Sequence, residues 1–210
     1  MKAKLLFILI LNVKILIAQK HKVEFITNFG NFKVLLYDNT PKHRDLFLNA
    51  IQDTTYKNAF FNRIIKDFVV QGGEHDVDIA QREAKNLTIP KKRLAGEFPL
   101  KNIHKMGALG AGRDDNPEKA SFLNQIYFVV GKSITPEDIQ KVESKKNIKY
   151  TKKQRKSYIL NGGLPRLDYD YTVFGEVYYG LDVLLKISQV KTDSLNYPII
   201  PIHFEVKSTN

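Results

Sequence analysis

The sequence contains no cysteine. Its 210 residues therefore hold no disulfide framework, no Cys-ligated zinc or iron–sulfur cluster, no thiol nucleophile and no lipid-modified N-terminal cysteine. There is no internal repeat, and no apolar run reaches the roughly 20 residues that a membrane-spanning helix needs. What remains is ordinary for a globular chain: 43% hydrophobic and 26% charged residues, at a length that predicts one domain. Acids are scarce relative to bases, 22 Asp+Glu against 33 Lys+Arg, giving a formal charge of +11. Such a surplus bears on solubility and on encounters with anionic partners, not on fold.

Lys2 and Lys4 precede the apolar run Leu5–Ile17, broken only by Asn12 and Lys14 and followed by Ala18-Gln19. A basic start, an apolar stretch too short to span a bilayer and a small residue describe a secretory signal peptide. Residues 1–18 are expected to be removed after Ala18, leaving residues 19–210 as the folded domain of an exported protein, periplasmic or secreted. Removal takes three lysines and no acid, so about +8 of the charge stays with the mature chain. With no disulfide available, its stability must come from its core.

The mature chain reads mostly as strands. Val23 and Phe25, then Phe32, Val34 and Leu36, alternate on either side of the turn Thr27-Asn28-Phe29-Gly30-Asn31, the pattern of a β-hairpin. Thr40-Pro41 opens a helix, with Thr40 as cap and Leu46, Phe47, Ala50 and Ile51 at helical spacing. Two apolar runs follow, 60–65 and 68–73, separated by the turn Lys66-Asp67. Residues 74–105 read as a long polar excursion, 106–112 as a small-residue segment and 125–130 as a strand. Thr135-Pro136-Glu137-Asp138 starts one or two solvated, lysine-rich helices ended by Gly162-Gly163. Strand pattern resumes at 171–177, a helix spans 181–188 and a strand closes the chain at 202–206. An antiparallel barrel with covering helices is the class these elements favour.

Two polar residues interrupt the apolar runs. Arg63 and Gln71 sit where burial without partners would cost several kcal/mol, on the order of 2–7 for a lone polar group. Arg63 could end a strand and pair with a carboxylate; alternatively, Arg63 and Gln71 could floor a groove beside Phe68 and Val69. Spacing leaves both open.

The order of the segments resembles one family. Phe61-Asn62-Arg63-Ile64-Ile65 leading to Phe68-Val69-Val70-Gln71-Gly72-Gly73 resembles the cyclophilin signature, in which Phe-His-Arg precedes Phe-x-x-Gln-Gly-Gly. Gly30 with Phe32-Lys33-Val34, the helix from Thr40-Pro41 to Phe47, Asn124-Gln125-Ile126-Tyr127-Phe128 and Leu167 followed by Val173-Phe174-Gly175 are similar to further blocks of that family, in order. The resemblance covers residues 22–131 and 164–206 and leaves out the helical segment at about 133–163. It implies a mainly β fold, an eight-stranded antiparallel barrel capped by two helices, and a peptidyl-prolyl cis-trans isomerase that needs neither metal nor cofactor. By that resemblance Arg63 donates to the nitrogen of the twisted X–Pro amide and Gln71 holds the substrate backbone, with Gln125 supporting it. Phe68, Val69, Tyr127 and Leu167 form the proline pocket, Tyr171 borders it, and Arg113 stands where the family has the Asn of its substrate-backbone strand.

Departures from the pattern are Asn62 for His, Val69 for Met, Arg113 for Asn, Arg166 for Trp or His, and Tyr171 for His. None removes Arg63, Phe68 or Gln71, but they bear on efficiency and sequence preference. The competing expectation is a binding module, a cyclophilin-like barrel that holds proline-containing chains with little catalysis. A further one is contact with an anionic surface or protein through the basic residues of 141–156. Expected partners are unfolded or peptide substrates containing proline, with a monomeric state and no nucleic acid. Asp168 and Asp170 read as turn residues, the histidines as surface or satisfied groups, and His75, Asp76 and Asp78 as a solvated trio rather than a metal site.

Overall fold

Alternation writes the first two strands. In β1 (Lys22–Thr27) and β2 (Gly30–Leu36) the side chains of Val23, Phe25, Phe32, Val34 and Leu36 are buried, and their neighbours are not. The computed structural model describes residues 21–85 and 87–209. Six more strands follow: β3 (Ala59–Ile65), β4 (Val69–Gly73), β5 (Ala108–Ala111), β6 (Gln125–Val129), β7 (Val173–Tyr179) and β8 (Ile202–Thr209). Every ladder is antiparallel, and the order β1-β2-β7-β5-β6-β4-β3-β8 closes on itself, leaving no strand edge unpaired. The expected eight-stranded barrel is thus the one formed. Its interior is filled by phenylalanines: Phe25 stacks on Phe32 at 4.9 Å, Phe128 meets both edge-on, and Phe61 lies 4.6 Å from Phe204. Each buries roughly 1.5–3 kcal/mol of apolar stabilisation.

The helices are α1 (Pro41–Gln52), α2 (Asp76–Ala84), α3 (Pro136–Lys146), α4 (Lys152–Asn161) and α5 (Leu181–Ile187). Helices α1 and α5 cover the barrel, sending Phe47 and Ala50, and Val183, Leu184 and Ile187, into its core. Thr40 does occupy the N-cap of α1, but its hydroxyl donates to the Tyr37 carbonyl instead of accepting from the helix. The free N–H groups of Lys42 and His43 go to Glu97, at 3.2 and 3.0 Å, so a carboxylate from the long segment caps the helix and favours its positive end. That segment is not wholly irregular either: α2 lies within it, capped by His75, whose Nδ1 accepts from Val77 N–H.

Helices α3 and α4 depart from the solvated reading. Their lysines other than Lys146 face outward, but Ile139, Tyr150 and Tyr158 pack with Ile103 and Ile134 into a further small core. Glu143 is buried there, accepting Tyr150 N–H at 2.8 Å and pairing with Arg155. These apolar residues come from separate stretches of chain, so no periodic stripe announces them in the sequence. Asp168 and Asp170 are not mere turn residues: Lys146 and Lys119 both pair with Asp170, and Asp168 is completely buried. The expected signal segment 1–18 and its cleavage after Ala18 lie outside the described residues.

Candidate active site

A bulge aims the arginine. Strands β3 and β4 pair Phe61 with Gly72 and then Arg63 with Gln71, so Asn62 is an extra residue in β3. Phe61 and Ile64 point into the barrel, and strict alternation from Phe61 would turn Arg63 inward with it. The extra residue flips Arg63 to the outer wall beside Gln71. Asn62 is held in place by its own side chain, which donates to the Gly73 carbonyl at 2.8 Å. The same alternation brings Val69 and Gln71 of β4 opposite Val129 and Tyr127 of β6 on the outer wall, while Val70, Ile126 and Phe128 fill the interior.

These residues border a cavity of about 130 Å3 on the barrel's outer surface. Arg63, Phe68, Val69, Gln71, Gln125, Tyr127, Leu167, Tyr171 and Arg113 all line it, together with Asp76, Gly112 and Arg166. The nine residues expected from the sequence are therefore gathered in one place. Its apolar floor is continuous with a cluster of Val69, Tyr127, Val129, Leu164, Leu167 and Val173, with Phe68 and Tyr171 at the margin. A drug-sized ligand occupies roughly 300–1,000 Å3, so this space suits one small ring. Two larger clefts, about 700 and 680 Å3, lie against α4 and away from Arg63.

Arg63 has no carboxylate within ion-pair distance and no hydrogen-bond partner among the described residues. The reading of Arg63 as one half of a strand-end ion pair does not hold. Gln71 is 5% exposed and its Nε2 lacks a partner among the described residues. Gln125 does not support Gln71: its amide donates to Asp76 Oδ1 at 2.7 Å and to the Glu74 carbonyl at 3.2 Å, tying β6 to α2. Arg113 is half committed, with Nε and Nη1 donating to the carbonyls of Asp170 and Asp114 at 2.7 Å and its guanidinium 4.6 Å from the centre of the Tyr171 ring. Arg166, at the position where the family pattern has Trp or His, lays its guanidinium over Phe68 at 4.6 Å. Burial first, then the charges of Tyr171 and Asp168, push the Tyr127 hydroxyl well above the phenol range, so it is a neutral donor. His104, which the sequence offers only as a satisfied histidine, holds that hydroxyl from behind, and Asp168, which it offers as a turn residue, holds the His104 ring. Nothing local marks them, because their contacts span 23 and 64 residues.

Fold and cavity define a closed antiparallel barrel carrying, on its outer wall, a small cavity where Phe68, Val69, Tyr127 and Leu167 meet three arginines and two glutamines. The family model for cyclophilin type peptidyl-prolyl cis-trans isomerase/CLD matches residues 22–206. A peptidyl-prolyl cis-trans isomerase of Acinetobacter baylyi is 26% identical over 202 residues, covering 90% of this chain and 86% of that protein. A putative peptidyl-prolyl cis-trans isomerase of Staphylococcus haemolyticus is 29% identical over 188 residues, 88% of each chain. Among solved structures, a cyclophilin type peptidyl-prolyl cis-trans isomerase of Cryptosporidium parvum superposes with a TM-score of 0.64 at 20% identity, covering 91% of this chain and 98% of that one. That parasite protein has also been crystallised in the presence of the dipeptide Ala-Pro. This chain belongs to the cyclophilin-type peptidyl-prolyl cis-trans isomerases.

Proposed function

We propose that the outer-wall cavity binds the proline ring of peptide and unfolded-chain substrates and that Arg63 lowers the barrier to rotation about the preceding amide bond. Resonance sets that barrier at about 18–20 kcal/mol, and spontaneous isomerisation takes tens of seconds or longer. No covalent bond need break. The amide nitrogen is flat and a poor acceptor in the planar ground state, and regains a lone pair when the bond twists. A donor aimed at that nitrogen therefore binds the twisted form more strongly than the planar one, which is the condition for catalysis. A guanidinium is permanently charged and donates without transferring a proton.

The observation that carries this reading is the pair of unspent side-chain donors at a cavity with an apolar floor: the Arg63 guanidinium and the buried Gln71 Nε2, neither with a partner among the described residues. An orphaned buried donor costs about 1–3 kcal/mol, a cost that a substrate carbonyl at Gln71 relieves. Phe68, Val69, Tyr127 and Leu167 hold the ring by apolar contact, Tyr171 borders it, and Arg113 keeps Nη2 for the substrate backbone. One charged hydrogen bond, roughly 1.5–3 kcal/mol, supplies about tenfold to a hundredfold in rate. Exclusion of water and anchoring of flanking residues supply the rest. The N-terminal residues 1–18 support export, so the substrates are proteins folding outside the cytoplasm.

A protease-coupled assay with a cis X–Pro peptide tests the proposal. Acceleration above the spontaneous rate, competed by Ala-Pro, is the expected result. Binding of Ala-Pro without acceleration would instead make the barrel a proline-binding module.

A further inference from the structure

A buried run of hydrogen bonds leads from the inserted helices into the wall of the cavity. Tyr158 of α4 and Tyr150, in the link between α3 and α4, both donate to Oδ2 of Asp168, at 2.5 and 2.6 Å. The other oxygen, Oδ1, accepts the backbone N–H of His104 at 2.7 Å and lies 2.7 Å from the His104 ring Nδ1. On the far side of that ring, Nε2 is 2.7 Å from the Tyr127 hydroxyl. Asp168, His104 and Tyr158 are fully buried, so no water competes for these bonds.

An ionised carboxylate only accepts, so Nδ1 carries hydrogen towards Asp168, and Nε2 is left to share the hydrogen bond with the Tyr127 hydroxyl. Burial and then the Asp168 charge push the hydroxyls of Tyr150 and Tyr158 far above the phenol range, which keeps both as donors. Asp168 thus takes four donors, two from the segment that begins β5's approach and two from the insertion. Tyr127 is held from three directions: His104 stacks parallel to it at 6.0 Å, Tyr171 meets it edge-on at 6.2 Å, and Gly110 on the paired strand leaves the space its ring occupies. Its hydroxyl is engaged by His104, which is not among the residues lining the cavity, while Tyr127 itself lines it.

We propose that His104 is a positioning residue of the proline pocket, held by Asp168, and that the inserted helices set the tightness of proline binding through Tyr150 and Tyr158. The inference rests on reading the cavity as a proline pocket. Helices α3 and α4, rich in lysine on their outer faces, act on their inner faces as a brace for the pocket wall. A pocket with a loosened Tyr127 still presents Arg63 to the amide, so the loss falls on substrate binding and spares the rotation step.

The test compares KM, kcat and the Ala-Pro dissociation constant for the full chain, the pair Tyr150→Phe/Tyr158→Phe, Tyr127→Phe, and all three together. The pair is expected to raise KM and the dissociation constant about threefold to tenfold, with kcat within about twofold. In the Tyr127→Phe background, where the link is already cut, the pair should change either constant by less than about twofold. Unchanged binding in the pair, or the same loss in both backgrounds, overturns the inference while leaving the activity in place. Failure of the pocket reading itself looks different: the unsubstituted chain would neither bind Ala-Pro nor accelerate isomerisation. Should the pair fail to fold, Tyr158→Phe alone, run through the same cycle, gives the same decision, since Tyr150 still serves Oδ2.

Discussion

Arg63 and Gln71 occupy strand positions that, for stability alone, would hold apolar residues. Gln71 makes the tension measurable. Gln71→Met removes an unpartnered buried donor at nearly constant volume, so the melting temperature should hold or rise while KM for X–Pro peptides increases, on the order of tenfold. A lower melting temperature with KM unchanged would give Gln71 a structural role instead. Arg166 acts by covering: its guanidinium lies over Phe68, so Arg166→Ala bares the ring and should lower kcat/KM by about twofold to tenfold, read in the same assay. Much of this was legible in the sequence, because a charged and an amide side chain inside apolar runs are conspicuous. The ties of Gln125 to α2 and of Arg113 to two carbonyls were not, since each depends on where a distant backbone group happens to lie.

At the scale of elements, the β3 bulge and one small residue in β5 decide the geometry. The Asn62 amide secures the bulge; Asn62→Ala gives up its bond to Gly73 and should cost about 1–2 kcal/mol of stability, with a fall in kcat larger than any change in KM because it is Arg63 that loses its aim. Gly110 faces Tyr127 across the β5–β6 ladder, and a Cβ there would lie 2.3 Å from the tyrosine Cζ and 2.5 Å from its hydroxyl, closer than any such contact allows. Gly110→Ala therefore displaces Tyr127 and should weaken Ala-Pro binding, measurable by calorimetry, while the barrel still folds. Strands and their partners could be read from alternation, as in Val23, Phe25, Phe32 and Val34. The bulge could not, because one extra residue in a five-to-seven-residue strand looks like noise in a period of two. Nor could the capping of α1 by Glu97, which reaches its N–H groups from 54 and 55 residues away.

For the molecule as a whole, the basic insertion changes meaning. Its lysines explain much of the positive charge, yet its tyrosines bond Asp168, which through His104 joins the segment outside the family resemblance to Tyr127 of the pocket. A second whole-molecule property is the dependence of stability on pH. His43, packed between Glu97 and Ser121, has its pKa lowered from 6.5 chiefly by burial, with Glu97 partly opposing. Below 6.5 the unfolded chain then binds a proton that the folded one resists, and stability falls with pH by up to about 1.4 kcal/mol per unit until the folded value is reached. The melting temperature should drop between pH 7.5 and 5.5, and His43→Gln should flatten that slope; an equally steep variant contradicts the assignment. The central claim, that a guanidinium turned outward by a bulge speeds rotation about the X–Pro bond, is tested most directly by kcat/KM of Arg63→Ala against the unsubstituted chain. The expected result is a loss of about tenfold to a hundredfold, with Ala-Pro binding and melting temperature nearly unchanged. Equal kcat/KM for the two proteins would contradict it.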